Sequence, residues 1–305
     1  MEFFLQVIIF IMEIFLAIFI GCLLYWLFRK LRARFQARKG PPWYQTFADL
    51  IKLFSKETLV PSVSGGFVFI IAPIFSVIGY LIALSLIPIM PLPPTAWFAG
   101  DLIVLLYCLA LPSVAIILAG SSSSSPYGAI GASREASLMV AYEIPFMIST
   151  ITVAIDANSL SLLEIMKLQL KQGAMALRYP FATLAFIICL LAKLSRKPFD
   201  IADADTEIVA GPFTEYSGFL LALFELSNAL KWFILPAFGV NLFFIGVGAG
   251  GGLDFMNFLF LCLSLVVLAS FLDAQNPRFR IEQAFRFYLT LAFALSVLDF
   301  IRALV

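Results

Sequence analysis

Residues 3–28 read FFLQVIIFIMEIFLAIFIGCLLYWLF, and Arg29, Lys30, Arg32 and Arg34 follow at once. A helix needs only about 20 apolar residues to cross the hydrocarbon of a bilayer. The run is therefore long enough to span, and the basic cluster behind it predicts a retained signal-anchor helix. The rest of the chain repeats the pattern. It is 62% hydrophobic and 13% charged, with a mean hydropathy of +1.01, far from a soluble domain. Further apolar stretches lie at roughly 67–89, 101–119, 137–155, 180–195, 219–248, 255–273 and 285–303. The expected fold is all-α: one transmembrane domain over 1–305, polytopic, with about eight transmembrane helices.

Lysine and arginine set the expected orientation. Loops at about 29–66, 119–136, 194–218 and 274–284, with the residues flanking them, hold 15 of the 20 cations. That side is expected to be cytoplasmic, with both termini outside. The 180–195 span is short, and Lys193 at its end is expected to snorkel. The long 219–248 span is expected to tilt, or to break near Pro236 and Gly239. In 43–54, Trp43, Phe47, Leu50, Ile51 and Phe54 recur at helical spacing. This predicts an amphipathic helix on the membrane surface or under a partner. Segment 161–172 reads as a weaker counterpart on the other side. Ser121–Ser125 reads as a loop, and Gly248–Gly252 as a short outer turn without nucleotide-loop context.

Composition also excludes chemistry. The chain has no histidine, and Cys22, Cys108, Cys189 and Cys262 fall one each in four apolar segments. Haem, zinc and iron–sulfur centres need clustered ligands, so none is expected to be held by this chain. The cysteines read as small buried hydrophobes.

The charges that remain are concentrated. Arg196-Lys197-Pro198-Phe199-Asp200 is followed by Asp203, Asp205, Glu207 and Glu215, five carboxylates at the mouth of two spans. Crowded, partly desolvated carboxyls hold protons up to higher pH than isolated ones, which suits proton handling. The alternative is a solvated loop whose acids cap the next helix. Glu143, in Ala141-Tyr142-Glu143-Ile144-Pro145, falls inside a span, where a carboxyl is costly and marks an ion or proton route. Glu225 and Lys231 share another span but point apart, so each needs a partner elsewhere. Lys231 is expected opposite Glu143, as a relay or as a static salt bridge. Glu13 is expected to face another subunit, Asp101 to cap its own helix, and Asp273 and Asp299 to be interfacial.

Taken together, these residues resemble one family: the H-type membrane subunit shared by respiratory complex I and the energy-converting membrane-bound nickel–iron hydrogenases. The resemblance begins at Arg38-Lys39-Gly40-Pro41 and runs through Gln45, Asp49, Lys52, Lys56 and Glu57. It resumes at Gly131-Ala132-Ser133-Arg134-Glu135-Ala136 and at Tyr142-Glu143, and is densest from Arg196 to Gly218. Ser125-Pro126-Tyr127, the Gly211–Gly218 stretch and Lys231 look more like the hydrogenase and formate-hydrogenlyase branch. This chain has Asn228 where complex I carries a glutamate, with Glu225 one turn earlier. It has Asp203 and Asp205 where glutamates are common.

The resemblance implies a non-catalytic, multi-pass subunit of a prokaryotic cell membrane that anchors a ferredoxin-linked peripheral arm. That arm would comprise an iron–sulfur small subunit and a hydrogenase-like large subunit with a nickel–iron-type site. Antiporter-like and small membrane subunits would be the other neighbours, and nucleic acid would not be a partner. Asp200, Asp203, Asp205, Glu207, Glu215, Glu143, Glu225 and Lys231 would carry coupling. Arg38, Gly40, Pro41, Asp49, Lys52, Lys56, Glu57, Arg134, Glu135, Arg196 and Lys197 would serve docking or hold the acidic loop. A quinone-binding subunit of complex I and a sulfur-reducing relative are alternatives within the family. A stand-alone transporter would require internal inverted repeats, and the two halves show none.

Overall fold

A computed structural model describes residues 2–62, 64–89, 94–203, 205–245 and 255–304. Thirteen α-helices occur among them, with a 3-10 turn over Gly211–Phe213 and two π-helical turns. α1 (Glu2–Phe35) is followed by α2 (Gln45–Phe54), α3 (Gly66–Leu86), α4 (Asp101–Ser122), α5 (Pro126–Asp156) and α6 (Leu162–Gln172). Then come α7 (Met175–Arg178), α8 (Pro180–Lys193), α9 (Asp205–Ile208), α10 (Gly218–Gly239), α11 (Phe255–Gln275), α12 (Ile281–Phe287) and α13 (Phe293–Leu304). π-Helical turns extend α10 over Val240–Phe244 and join α12 to α13 over Tyr288–Ala292.

Among the described residues seven helices are long and apolar enough to cross a membrane. The expected eighth, α8, has 14 residues. At 1.5 Å per residue it rises about 21 Å, short of the roughly 30 Å of hydrocarbon. It still connects the two ends of the bundle. Its first turn is capped by Asp299 of α13, whose Oδ2 accepts from the Ala182 amide at 2.8 Å. At the other end the Lys197 amide, just past α8, donates to Asp273 of α11 at 3.0 Å. Both aspartates are buried, Asp273 also paired with Arg32 at 2.8 Å and Asp299 with Arg302 at 2.8 Å, so neither is an interfacial charge.

Several expectations change at the boundaries. The loop expected over 119–136 is mostly helix: only 123–125 separate α4 from α5, so Ser121 and Ser122 are helical and Arg134 and Glu135 lie on α5. Windowed hydropathy cannot see this extension, because its outer turns are polar. Pro236 does not break α10; the helix continues and widens into a π turn at Val240. Interior prolines also sit in α3 (Pro73), α4 (Pro112) and α5 (Pro145). In a packed bundle neighbouring groups re-satisfy the freed carbonyls. The expected turn at Gly248–Gly252 lies outside the described residues.

The two amphipathic helices form as the spacing predicts. α2 packs Phe47 on Phe19 of α1, and its Thr46 hydroxyl donates to the Cys22 carbonyl at 3.1 Å. Ile51, 67% exposed, points away from the bundle with Trp43 and Tyr44, so an apolar face is left open. α6 buries Leu162, Ile165, Met166 and Gln169 at the opposite end. Asp101 reaches the Leu102 amide of its own helix and also caps α6: its carboxylate accepts from the Leu162 amide at 2.8 Å and the Ser161 hydroxyl at 3.2 Å. Glu13 is turned inward, 2% exposed, toward Thr95 of this chain, and not outward to another subunit.

Candidate functional site

A cavity of about 590 Å³ opens where α1, α3, α4 and α10 meet the 194–217 loop. Close helix contact builds its back wall. Gly21 lies directly against the Ala229 carbonyl, so α1 and α10 approach backbone to backbone. That approach stacks Tyr25 and Phe28 of α1 on Trp232 of α10, with ring centroids 5.8 and 4.4 Å apart. The Arg196 guanidinium rests over all three rings at 5.1–5.4 Å from their centroids. A delocalised cation held by aromatic faces is attracted by their quadrupoles.

The acidic loop does not form one cluster. Asp200 pairs with Arg278 at 2.9 Å, and Glu207 pairs with Arg134 at 2.7 Å. The Arg134 hydrogen bond holds the Glu207 carboxyl below its ordinary range. Asp203 lines the cavity with its Oδ1 unpartnered. Burial, with the Glu135 charge adding to it, pushes its carboxyl up to about 7. Glu215 is half-buried, and the Asp205 side chain lies outside the described residues. Arg134 reaches this loop at both Glu207 and the Ile201 carbonyl. The Arg196 guanidinium lies over the aromatic rings and also within electrostatic reach of Asp200 and Asp203. Lys197 contributes only its backbone amide, to Asp273.

Glycines fix the shape of this loop. Gly211 has φ +51°, and a Cβ there would run into the Ala202 carbonyl. Gly218 has φ +54° and lies on the Glu57 carbonyl. The left-handed region is open to glycine at no steric cost. Through Gly218 the two expected docking loops become one surface. The Leu59 amide donates to the Ser217 hydroxyl at 3.1 Å, and the Phe219 amide to the Thr58 hydroxyl at 3.2 Å. Arg38, Lys52, Lys56 and Glu57 are exposed on this surface, and Asp49 is half-buried against Arg29 at 3.7 Å. Gly40 sits against Lys30 of α1, and the Pro41 carbonyl accepts from Trp26 Nε1 at 2.9 Å, which folds the loop back on α1.

Both Glu225 and Lys231 line the cavity, along with Asn228. Lys231 reaches the Ser195 hydroxyl at 3.4 Å and lies within electrostatic range of Asp203, Glu135 and Glu225. It does not face Glu143. The partner of Glu143 is Lys193, with Nζ 2.5 Å from Oε1, and the Lys193 side chain is 2% exposed. Lys193 therefore does not snorkel. It lies over the rings of Phe146 and Tyr142 at 4.5 and 5.3 Å. Glu143 also borders an apolar groove between α4 and α5, beside the exposed Tyr107, Val140 and Ile144.

Polar side chains join these two places. Glu135, 4% exposed, hydrogen-bonds Ser113 of α4. The Ser113 hydroxyl meets the Tyr142 hydroxyl at 2.9 Å. Tyr142 underlies Lys193, which holds Glu143. Sequence reasoning places Glu135 on the docking face and misses Ser113, Lys193 and Arg278. Lys193 carries a usable signal, a cation inside a span too short to let it escape.

A family profile described as NADH dehydrogenase matches residues 6–304, almost the full chain. The chain belongs to this family. An H-type NADH-quinone oxidoreductase subunit of Geobacter metallireducens is 32% identical over 288 residues, covering 85% of this chain and 82% of the relative. Its counterpart in Salinibacter ruber is 36% identical over 228 residues, covering 72% of this chain and 66% of the relative. A solved structure, the membrane-bound sulfane sulfur reductase (MBS), an archaeal respiratory membrane complex, contains a similar chain. That chain is 30% identical and superposes with a TM-score of 0.89, over 99% of this chain and 100% of that one. The chain is thus an H-type membrane subunit of a respiratory complex.

Proposed function

We propose that this chain is the non-catalytic anchor and coupling subunit of a ferredoxin-linked, hydrogenase-type membrane complex. The observation that carries the reading is the polar line from the cavity to the groove: Asp203, Glu225 and Lys231, then Glu135, Ser113, Tyr142, Lys193 and Glu143. Intramembrane ionisable groups in sequence suit proton or charge relay. The surface built from loops 36–65 and 194–217 faces the cytoplasm in this reading and carries the peripheral arm. The iron–sulfur clusters and a nickel–iron-type site reside in that arm. A redox change there alters the charge at Asp203 or Lys231. The relay passes it to Glu143, and from the groove to antiporter-like neighbours.

Asn228 favours the hydrogenase branch over quinone reduction, since it stands in the cavity wall where complex I carries a glutamate. A second reading, the same role in a sulfur-reducing complex, is favoured by the likeness to the sulfane sulfur reductase. Purification of the intact complex through a tag on this chain tests both. Nickel in the co-purified arm and hydrogen evolution from reduced ferredoxin support the hydrogenase reading. A nickel-free arm that reduces polysulfide supports the second. A chain recovered without iron–sulfur partners overturns the anchor role.

A further inference from the structure

Five cations line the cavity: Arg32, Arg196, Lys197, Lys231 and Arg278. Two have carboxylate partners, Arg32 with Asp273 at 2.8 Å and Arg278 with Asp200 at 2.9 Å. Arg196, Lys197 and Lys231 have no carboxylate within 4.0 Å among the described residues. Against them stand two cavity carboxylates without an ion pair, Asp203 and Glu225, and Asp203 holds a proton up to about pH 7. The unpaired charge of the wall is therefore positive.

Arg196 sharpens the point. Its guanidinium lies over three aromatic faces and hydrogen-bonds Tyr25, while its Nε is buried with no hydrogen-bond partner among the described residues. A buried donor left unsatisfied is costly, and a bound acceptor would recover that cost. Guanidinium and ammonium groups converging on one space are suited to an oxyanion, above all phosphate. Another part of the lining is apolar: Ile116, Phe213, Leu221 and Phe224, which belong to one hydrophobic cluster. The volume of about 590 Å³ falls in the range of small-molecule sites, about 300–1,000 Å³.

We propose that this cavity binds a phosphate-bearing amphiphile, its headgroup on Arg196, Lys197 and Lys231 and its apolar portion along Ile116, Phe213, Leu221 and Phe224. An anionic phospholipid from the bilayer and a soluble phosphate compound share this chemistry. The proposal uses the cavity of the coupling reading but not its relay. Lipid content reads the ligand, and ion pumping reads the relay, so the two fail separately.

The test uses the intact complex in nanodiscs of phosphatidylglycerol and phosphatidylcholine, washed into detergent, with retained lipid counted by native mass spectrometry. Labelled inorganic phosphate is titrated in parallel by equilibrium dialysis. The wild-type complex is expected to retain phosphatidylglycerol over phosphatidylcholine, and Arg196→Gln to lower that retention roughly tenfold. If Arg196→Gln fails to assemble, Lys197→Gln, at a half-buried side chain, gives the same reading. Saturable phosphate binding lost in the same variant, without lipid retention, identifies a soluble ligand. Retention and phosphate binding that are equal in wild type and variants, or absent from both, overturn the proposal.

Discussion

Lys193 Nζ lies 2.5 Å from Glu143 Oε1, inside the bundle and above the rings of Phe146 and Tyr142. Two helices that the sequence leaves unrelated, α5 and the short α8, are tied by this pair. Removing one partner strands a buried charge, which costs about 3–5 kcal/mol. Lys193→Met and Glu143→Gln should each lower the thermal midpoint of the purified complex. The double variant should recover much of the stability while ion pumping in vesicles stays lost. Normal pumping by the double variant would remove the pair from the coupling route.

The Ser113 hydroxyl joins Glu135 to Tyr142. Ser113→Ala should cost only about 1 kcal/mol of stability, the net worth of a hydrogen bond. Assembly should be normal on a native gel. Proton uptake into inverted vesicles, followed with a pH-sensitive dye, should fall while electron transfer continues. Unchanged uptake would show that the route bypasses this hydroxyl.

Among the described residues Lys231 forms no ion pair within 4.0 Å, and it faces the cavity. Lys231→Ala should therefore leave the chain folded and abolish most pumping, measured at constant redox turnover. Loss of the assembled chain would instead assign Lys231 a structural task.

Asp203 gives a pH signature. Its folded-state carboxyl is raised from 3.8 to about 7 by burial. Between these values the folded chain keeps a proton that the unfolded chain has lost. Its contribution to stability is thus full below about pH 4 and is lost as pH rises through about 7. Asp203→Asn should flatten this part of the stability profile of the complex. It should also erase a protonated-carboxyl band that titrates near neutrality in infrared difference spectra. A band that persists in the variant would assign that proton elsewhere.

Gly211 holds the acidic loop at φ +51°, against the Ala202 carbonyl. Gly211→Ala should displace the loop and release the peripheral arm on a native gel. Helical content by circular dichroism should be unchanged, since the spans do not depend on this turn. An arm that stays attached would mean that docking tolerates a moved loop.

Much of this can be read from the chain, and the limits have physical causes. Apolar runs mark the spans, and the spacing of Phe47, Leu50 and Ile51 marks α2. Rotation and depth are what the chain hides. Lys231 reads as opposite Glu143 because both lie inside spans, but sequence does not say which way a helix face turns. Glu135 reads as a loop residue because polar neighbours surround it, yet α5 carries it into the interior. Asp200 finds Arg278, a partner from the loop before α12, which only tertiary packing reveals. Lys197 meets Asp273 through its backbone, a contact that side-chain chemistry does not announce.

The 14 residues of α8 carry a further consequence, an electrical one. A transmembrane potential is worth about 2.3 kcal/mol per elementary charge per 100 mV. Where the insulating layer is as thin as α8, about 21 Å, the same voltage falls over a shorter path and the local field is steeper. Lys193 sits at the end of that thin section. A charge displaced there works against a larger share of the membrane voltage per ångström than one moved along the neighbouring long helices. The occupancy of the Lys193–Glu143 pair should therefore respond to polarisation of the membrane as well as to chemistry in the arm.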